Sequence, residues 1–298
     1  MKQTENILLT ECPWCGSVDI KQGKTIIDFF LTKEKFALGS CDKCGLVFTN
    51  PRPKSDNLSR YYESDKYYSH TSNQAGIIPF IYRRIKEINL KTKFKQVTIG
   101  LTGGKVLDIG CGTGDFLAVC QRAGFEVSGI EPNPMAAEFA AAKIHRRIFD
   151  PSQSNELLDS EFDLITMWHV LEHVSDLKVQ ILELYRLTKS GGKVVIALPN
   201  YLSFDAMHYD ENWAAWDVPR HLYHFSKQVI DGMMKENGFE SGKCYPMKWD
   251  AFYVSMLSEQ NRGSALGIVR AFAIGLISNI RARRKKNYSS MVYTYFKK

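Results

Sequence analysis

The sequence predicts an α/β protein, a doubly wound and mostly parallel sheet preceded by a small metal-holding module. Three observations carry that expectation. Residues 105–120 read as a short buried strand (Val106, Leu107, Ile109), a bend with glycines at 110, 112 and 114, and a helix that continues at 3.6 spacing from Phe116. A second apolar run (Val127, Gly129, Ile130) closes on Glu131, 23 residues after Asp108, the offset at which doubly wound folds place an acid against ribose hydroxyls. Four of the seven cysteines fall into two C-x-x-C-G pairs near the start of the chain.

Composition sets the frame. The chain has 298 residues, 44 % hydrophobic and 24 % charged, enough for one large globular domain and one small. Met1–Asn6 leads into no long apolar stretch, so no secretory leader is expected. The cytoplasm, where thiols stay reduced, is the expected compartment, with a peripheral place at the inner membrane surface as an alternative. The net charge of +7 belongs to the tail: residues 281–298 carry seven Lys and Arg and no acid, so residues 1–280 sum to zero. An enzyme acting on nucleic acid spreads basic groups over its substrate face, and this distribution argues against that class.

Taken in order, residues 1–50 are expected to form a zinc ribbon. Cys12-Pro-Trp-Cys15-Gly16 and Cys41-Asp-Lys-Cys44-Gly45 place four thiolates around one tetrahedral Zn²⁺, and each glycine permits the turn that aims backbone N–H groups at sulfur. A redox pair would open a helix in a βαβ unit, and neither pair does. Thr25–Leu38 supplies short strands between the knuckles. Cys111, Cys120 and Cys244 have no partner spacing; Cys111 and Cys120 read as small packing residues.

Residues 51–98 read as a linker and a helical lid. Asn50-Pro-Arg-Pro53 stops any helix. A tyrosine cluster follows (Tyr61, Tyr62, Tyr67, Tyr68), then a helix over 77–96 with apolar groups at Ile77, Ile78, Ile81, Ile85, Ile88 and Phe94 and a basic outer face. The cluster either covers a ligand or packs.

Residues 99–298 form the core. Its bend is D-x-G-x-G-x-G rather than the G-x-G-x-x-G of dinucleotide loops, so it begins on a carboxylate. Asp108 would repel pyrophosphate and suits a ligand bearing an ammonium or sulfonium. The segment resembles the cofactor loop of class I S-adenosylmethionine-dependent methyltransferases. The order of zinc ribbon, N-P-R-P linker, tyrosine-rich segment and core resembles a bacterial group in the methyltransferase type 11/23 superfamily, many of whose members act in cell-surface glycan or small-metabolite pathways. The resemblance implies a Rossmann-like seven-stranded sheet whose last strand is antiparallel, with S-adenosyl-L-methionine as cofactor. It implies contacts from Asp108, Gly110, Cys111, Gly112, Gly114, Phe116, Glu131, Pro132, Asp150, Trp168 and His169.

Later elements follow. Asn133 caps a helix over 135–143 with Pro134 at its first position. A third strand near 146–149 ends at Asp150, where the family places an acceptor for the adenine amino group. Strand four, Phe162–Met167, runs into Trp168-His-Val-Leu-Glu-His-Val174, which resembles the family's cofactor-lining LEH-V segment. There His173 is expected to fix backbone, and the H-x-x-E and E-H spacings also admit a metal. A helix opens at Ser175-Asp176, Gly191-Gly192 turn the chain, and Lys193–Leu198 is strand five. The loop with Trp213, Trp216, Asp217, Arg220, His221 and His224 suits an acceptor pocket at a strand's carboxyl end. His221 is the first choice for a base and His169 the second; bracing of the loop by Arg220 and His221 is the alternative. Ser226 caps the next helix, strand six runs near 240–248, and Met291–Lys298 alternates as the last strand.

A helical insertion at about 251–287 is apolar over 265–280 and basic after it. It is too short to span a bilayer. Its apolar and basic stretch, 265–286, leaves three occupants: a membrane surface, its own domain or the other half of a homodimer, and nucleic acid. The expected activity is methyl transfer to a small-molecule or glycan-precursor acceptor, with a hydroxyl favoured. The alternatives are a nucleic-acid or protein methyltransferase gripping its polymer with the ribbon, and a non-catalytic cofactor-binding module. The sequence lacks the N/D-P-P-Y/F of base-amino enzymes and the Pro-Cys nucleophile of C5-cytosine chemistry.

Overall fold

The computed structural model describes residues 6–62 and 77–298, and the side chains of the helix that opens at Ile77 from residue 87 on. Tyr67 and Tyr68 lie outside the described residues, as do the side chains of Ile77, Ile78, Ile81 and Ile85. Strands β1 (Asn6–Ile7), β2 (Ile20–Ile27), β3 (Lys35–Cys41), β4 (Val47–Thr49) and β5 (Arg52–Pro53) form the front of the chain. Helix α1 (Ser55–Leu58) and a 3₁₀ turn lead on, and α2 (Ile77–Val97) precedes the core. Ile88, expected on the apolar side of α2, is exposed.

The core alternates as its sequence pattern requires: β6 (Lys105–Ile109), α3 (Asp115–Arg122), β7 (Glu126–Ile130), α4 (Pro134–Ile144), β8 (Ile148–Phe149), β9 (Phe162–Trp168), α5 (Leu177–Leu187) and β10 (Thr188–Pro199). Then come α6 (Phe204–Tyr209), β11 (Tyr223–His224), α7 (Lys227–Glu236), β12 (Phe239–Pro246), α8 (Asp250–Asn261), α9 (Gly267–Lys285) and β13 (Ser290–Lys297). Seven strands make one sheet in the order β12-β13-β10-β9-β6-β7-β8. β13 pairs antiparallel with both β10 and β12, and β6 through β10 are parallel. This is the expected doubly wound seven-stranded sheet with an antiparallel last strand. The strand order reverses at β6, whose neighbours are β7 and β9, so ligands gather at the carboxyl ends of those three strands.

Two local expectations change. Gly191 and Gly192 do not separate a helix from a later strand: β10 starts at Thr188, and the glycines form a bulge before pairing resumes at Lys193. β13 is buried along six consecutive residues rather than alternately, because helices cover both faces of a strand that sits inside the sheet.

The front module is not a separate bead. β2, β3 and β4 form an antiparallel sheet, and its fourth strand is β11, contributed by the core loop after β10. Tyr223 pairs with Phe48 and His224 with Val47. Thr49 extends the join, its N–H donating to the Leu222 carbonyl and its hydroxyl to the His221 carbonyl at 2.7 Å. Trp14 donates its indole N–H to Glu236 on α7.

Candidate active site

At the tip of β6, Asp108 is buried and accepts the Thr166 hydroxyl at 2.6 Å from its register partner on β9. Burial raises its carboxyl to about 7, against the opposing pull of Thr166 and of the Lys93 ammonium. The bend that follows is left-handed at its glycines. At Gly110 (φ 70°) an added Cβ would strike Val170 at 2.4 Å, whereas at Gly112 (φ 53°) it would meet open space. The first position packs against the protein; the second presents bare backbone to a ligand. Glu131, at the end of β7, accepts the Gly112 N–H at 2.8 Å and the Asn133 N–H at 2.9 Å, which fixes the bend against the second strand tip. Burial raises its carboxyl, and those two N–H groups oppose the shift.

The other residues expected at the cofactor are spread around this bend. Phe116, buried at the start of α3, meets the Trp168 ring edge-on at 5.2 Å, and the Trp168 indole N–H is buried with no hydrogen-bond partner among the described residues. The Cys111 thiol is buried, and an added Cβ on Gly129 would strike its Sγ at 2.8 Å, as expected of a packing residue. Pro132 is exposed beside Glu131. Asp150 is exposed, and its Oδ1 accepts from the Ser152 N–H and hydroxyl.

Two groups at this end of the sheet, Lys93 and Asp250, were not singled out from sequence, and Glu172 entered there only through the H-x-x-E and E-H spacings. Lys93 on α2 holds its ammonium 4.2 Å from the Trp168 ring centre. Burial lowers its pKa while Asp250 and Asp108 hold it up. Asp250, the first residue of α8, lies 3.2 Å from His169 Nε2. Glu172 lies 3.4 Å from His169 Nδ1, is 1 % exposed, and accepts no hydrogen bond from the described residues at either oxygen. Burial would push His169 down, but these two carboxylates outweigh it and raise the imidazole to about 9. The backbone at His169 is left-handed, φ 58°, a conformation that concentrates at functional positions.

His221 approaches the same Glu172 oxygen as His169. Its Nδ1 donates to the Ala215 carbonyl at 2.9 Å, which leaves Nε2 as the basic nitrogen, 4.0 Å from Glu172 and 3.9 Å from Asp217. His173 packs edge-on to it with ring centres 4.6 Å apart. The Arg220 carbonyl, 3.1 Å from His173 Nδ1, can only accept, so that nitrogen carries the proton and Nε2 is left unprotonated in the neutral ring. Burial, then the neighbouring His221, depress His173 to about 4 and His224 to about 3. Glu172, His173 and His221 each offer a ligand atom within 4.8 Å of the others. Arg220 braces the loop: it is 3 % exposed and reaches Asp217, Asp28 at 3.3 Å and the Tyr61 carbonyl at 3.0 Å.

The four knuckle cysteines also converge. Cys12 and Cys44 lie 3.6 Å apart at sulfur, Cys15 and Cys41 3.5 Å. A tetrahedron of thiolates about 2.3 Å from zinc has edges of about 3.8 Å, so the donor set fits one Zn²⁺. Burial opposes ionisation of Cys41, but the Cys44 N–H, the Cys15 thiol and the Lys43 N–H bring it down to about 7.

Comparison with known proteins agrees with this geometry. Residues 82–241 match the family model described as a methyltransferase domain. The ubiquinone biosynthesis O-methyltransferase of Pseudomonas aeruginosa (strain LESB58) is 33 % identical over 129 residues, 40 % of this chain and 55 % of that protein. The chain therefore spans about half the length of the curated relatives it matches. Phosphoethanolamine N-methyltransferase 2 of Haemonchus contortus superposes with a TM-score of 0.51 at 16 % identity, over 93 % of this chain and 69 % of that one. Geranyl diphosphate C-methyltransferase of Streptomyces coelicolor A3(2), solved with S-adenosyl-L-homocysteine, gives 0.50 at 16 % identity, over 72 % and 78 %. The structural likenesses show a shared fold.

Proposed function

Because this chain belongs to the methyltransferase-domain family and is a class I S-adenosylmethionine-dependent methyltransferase, we propose that it methylates a hydroxyl of a small-molecule or glycan-precursor acceptor, with His221 as the base. The observation that carries this reading is the pinned ring of His221, its Nδ1 tied to the Ala215 carbonyl and its Nε2 beside Glu172. A hydroxyl must lose its proton as its oxygen takes the methyl group; a thiolate or an amine needs no such help. The printed name of the Pseudomonas relative, an O-methyltransferase, supports the same atom.

When bound, S-adenosylmethionine supplies a methyl on a sulfonium that departs as a neutral thioether. The chain's own residues do the rest. Glu131 and the Gly112 backbone would hold the sugar end, and Asp108 would sit near the cationic end, where its carboxylate is favoured by an incoming positive charge. Phe116 and Trp168 would wall the reacting centre and exclude water. His221 would take the hydroxyl proton at Nε2, and Glu172 would stabilise the imidazolium. His169, the second choice for a base, would on this reading stay protonated between Asp250 and Glu172 and orient the acceptor. The ribbon would support the loop that carries His221, because β4 is spent on β11 and Trp14 on α7. This use of the ribbon disfavours a role in gripping a polymer.

His221→Ala should lower single-turnover rates with labelled cofactor about 10²-fold while calorimetric cofactor affinity stays unchanged. Unaltered turnover would remove His221 from catalysis.

A second reading rests on the same trio. With ligand atoms of Glu172, His173 and His221 converging and the Glu172 oxygens accepting no hydrogen bond among the described residues, a divalent cation there would polarise the acceptor oxygen directly. EDTA treatment followed by Mg²⁺, Mn²⁺ or Zn²⁺ add-back separates the two: activity that needs the added ion favours the cation, and chelator-resistant activity the free base.

A further inference from the structure

Helix α9 is built inside out. Its buried residues are Ala271, Gly275, Ser278 and Ala282, while Ile268 (79 %), Val269 (71 %) and Phe272 (63 %) are among the most exposed large apolar side chains of the described residues. An ordinary surface helix buries its large apolar residues and turns small or polar ones outward. Two contacts hold α9 in this rotation. An added Cβ on Gly275 would meet Phe252 of α8 at 2.8 Å, so the two helices touch almost backbone to backbone. The Ser278 hydroxyl donates to the buried Asp205 carboxylate at 2.6 Å. Turning the apolar side inward would break both.

The outward face continues through Leu276 and Ile280 and is joined by Trp249 and Met256 at α8. Its flank is one-signed. After Glu259 the chain has no Asp or Glu, and Arg270, Arg283, Arg284, Lys285 and Lys286 are all exposed around this face. The apolar stretch from Leu266 to Ile280 is about 22 Å long as a helix, short of the roughly 30 Å hydrocarbon core of a bilayer. No helix among the described residues is long and apolar enough to cross a membrane.

We propose that the α8–α9 hairpin docks in the plane of an anionic lipid bilayer surface, its apolar face among the acyl chains and its arginines and lysines on the headgroups. Charge complementarity selects this occupant. A second copy would bring the same basic flank, with no carboxylate after residue 259 to answer it, whereas anionic headgroups supply the missing counter-charge. A tryptophan at the start of α8 is also the side chain that membrane interfaces favour.

The placement deepens the hydroxyl-methylation reading and rests on it for its meaning: Asp250, the residue after Trp249, reaches His169 at the candidate site. Docking would therefore open the acceptor side toward the membrane, as an amphiphilic or lipid-linked acceptor requires.

The test is flotation of the full-length, zinc-loaded protein with vesicles of phosphatidylcholine alone or with 30 mol % phosphatidylglycerol. Binding should appear on the anionic vesicles and weaken with salt. Arg283→Ser, Arg284→Ser and Lys285→Ser together should cost about a hundredfold in partitioning, at about fivefold per basic side chain. Phe272→Glu with Leu276→Glu should cost at least tenfold, with cofactor affinity and melting temperature unchanged in both variants. Failure of the wild type to float at low salt would overturn the proposal. So would glutamate variants that float like the wild type, or a wild-type dimer that dissociates in those variants without either form floating. Flotation needs no methyl transfer, so His221→Ala with full turnover would sink the base assignment and leave this result standing.

Discussion

Arg220 offers the sharpest test of how the front module and the core depend on each other. Its guanidinium is buried between Asp217 of its own loop and Asp28 of the turn after β2, donates to the Tyr61 carbonyl, and lies 4.3 Å from the Phe30 ring centre. Asp28 is almost fully buried. It accepts the N–H groups of Phe30, Leu31 and Thr32 and the Thr32 hydroxyl, so it keeps neutral donors when the cation is removed. Asp217 stays partly exposed and rehydrates. Removing one partner of a buried pair costs roughly 3–5 kcal/mol, and the donors left to Asp28 set the expectation for Arg220→Ala at the low end, about 3 kcal/mol. At about 2–4 °C per kcal/mol for a domain of this size, the melting temperature should fall by about 6–12 °C. Urea titration and thermal melts of the zinc-loaded protein read this directly. A double-mutant cycle with Asp28→Asn should return a coupling of about 2 kcal/mol. Arg220 contacts none of the reacting groups, yet turnover should fall because the His221 loop loses its brace. An Arg220→Ala protein within about 1 kcal/mol of the wild type, or strict additivity in the cycle, would refute the joint as drawn.

Other outcomes follow from the same geometry. Asp108 is raised from about 3.8 unfolded to about 7 folded, so the native state holds a proton that the unfolded chain has lost, and stability should decline as pH rises across that interval. A cationic cofactor favours the ionised form; its dissociation constant should rise about tenfold per pH unit below 7, by calorimetry, and Asp108→Asn should flatten the profile. Glu131→Gln should weaken cofactor binding by about tenfold, since it loses the charge on the ribose side and one tether on Gly112; unchanged affinity would remove Glu131 from the site. Stripping zinc with a thiol-competent chelator should release one metal per chain and lower turnover at least tenfold with cofactor affinity kept, because β4 carries β11 and the His221 loop; mass spectrometry for zinc and calorimetry would check both halves.

How much of this was legible beforehand depends on how local each feature is. The β6 bend, the acid at the end of β7 and the knuckle cysteines are written in short windows, where apolar period, glycine and carboxylate spacing act within a few residues, whereas the antiparallel place of the last strand came only from the family resemblance. The helix caps at Asn133 and Ser226 belong with them. Lys93 and Asp250 left no such trace: each is an ordinary charged residue in a helical stretch, and only the fold brings them to Trp168 and His169. The β11 strand is the clearest case of long-range determination. Tyr223 and His224 look like pocket residues in a loop, and nothing near them in the chain shows that Phe48 and Val47, some 175 residues earlier, supply the other half of a ladder. The same join bears on the two readings of the ribbon. The loop that carries His221 occupies the β4 edge, which a polymer could otherwise pair with; on the proposed reading this makes the cysteine knuckles part of the scaffold around the proposed base.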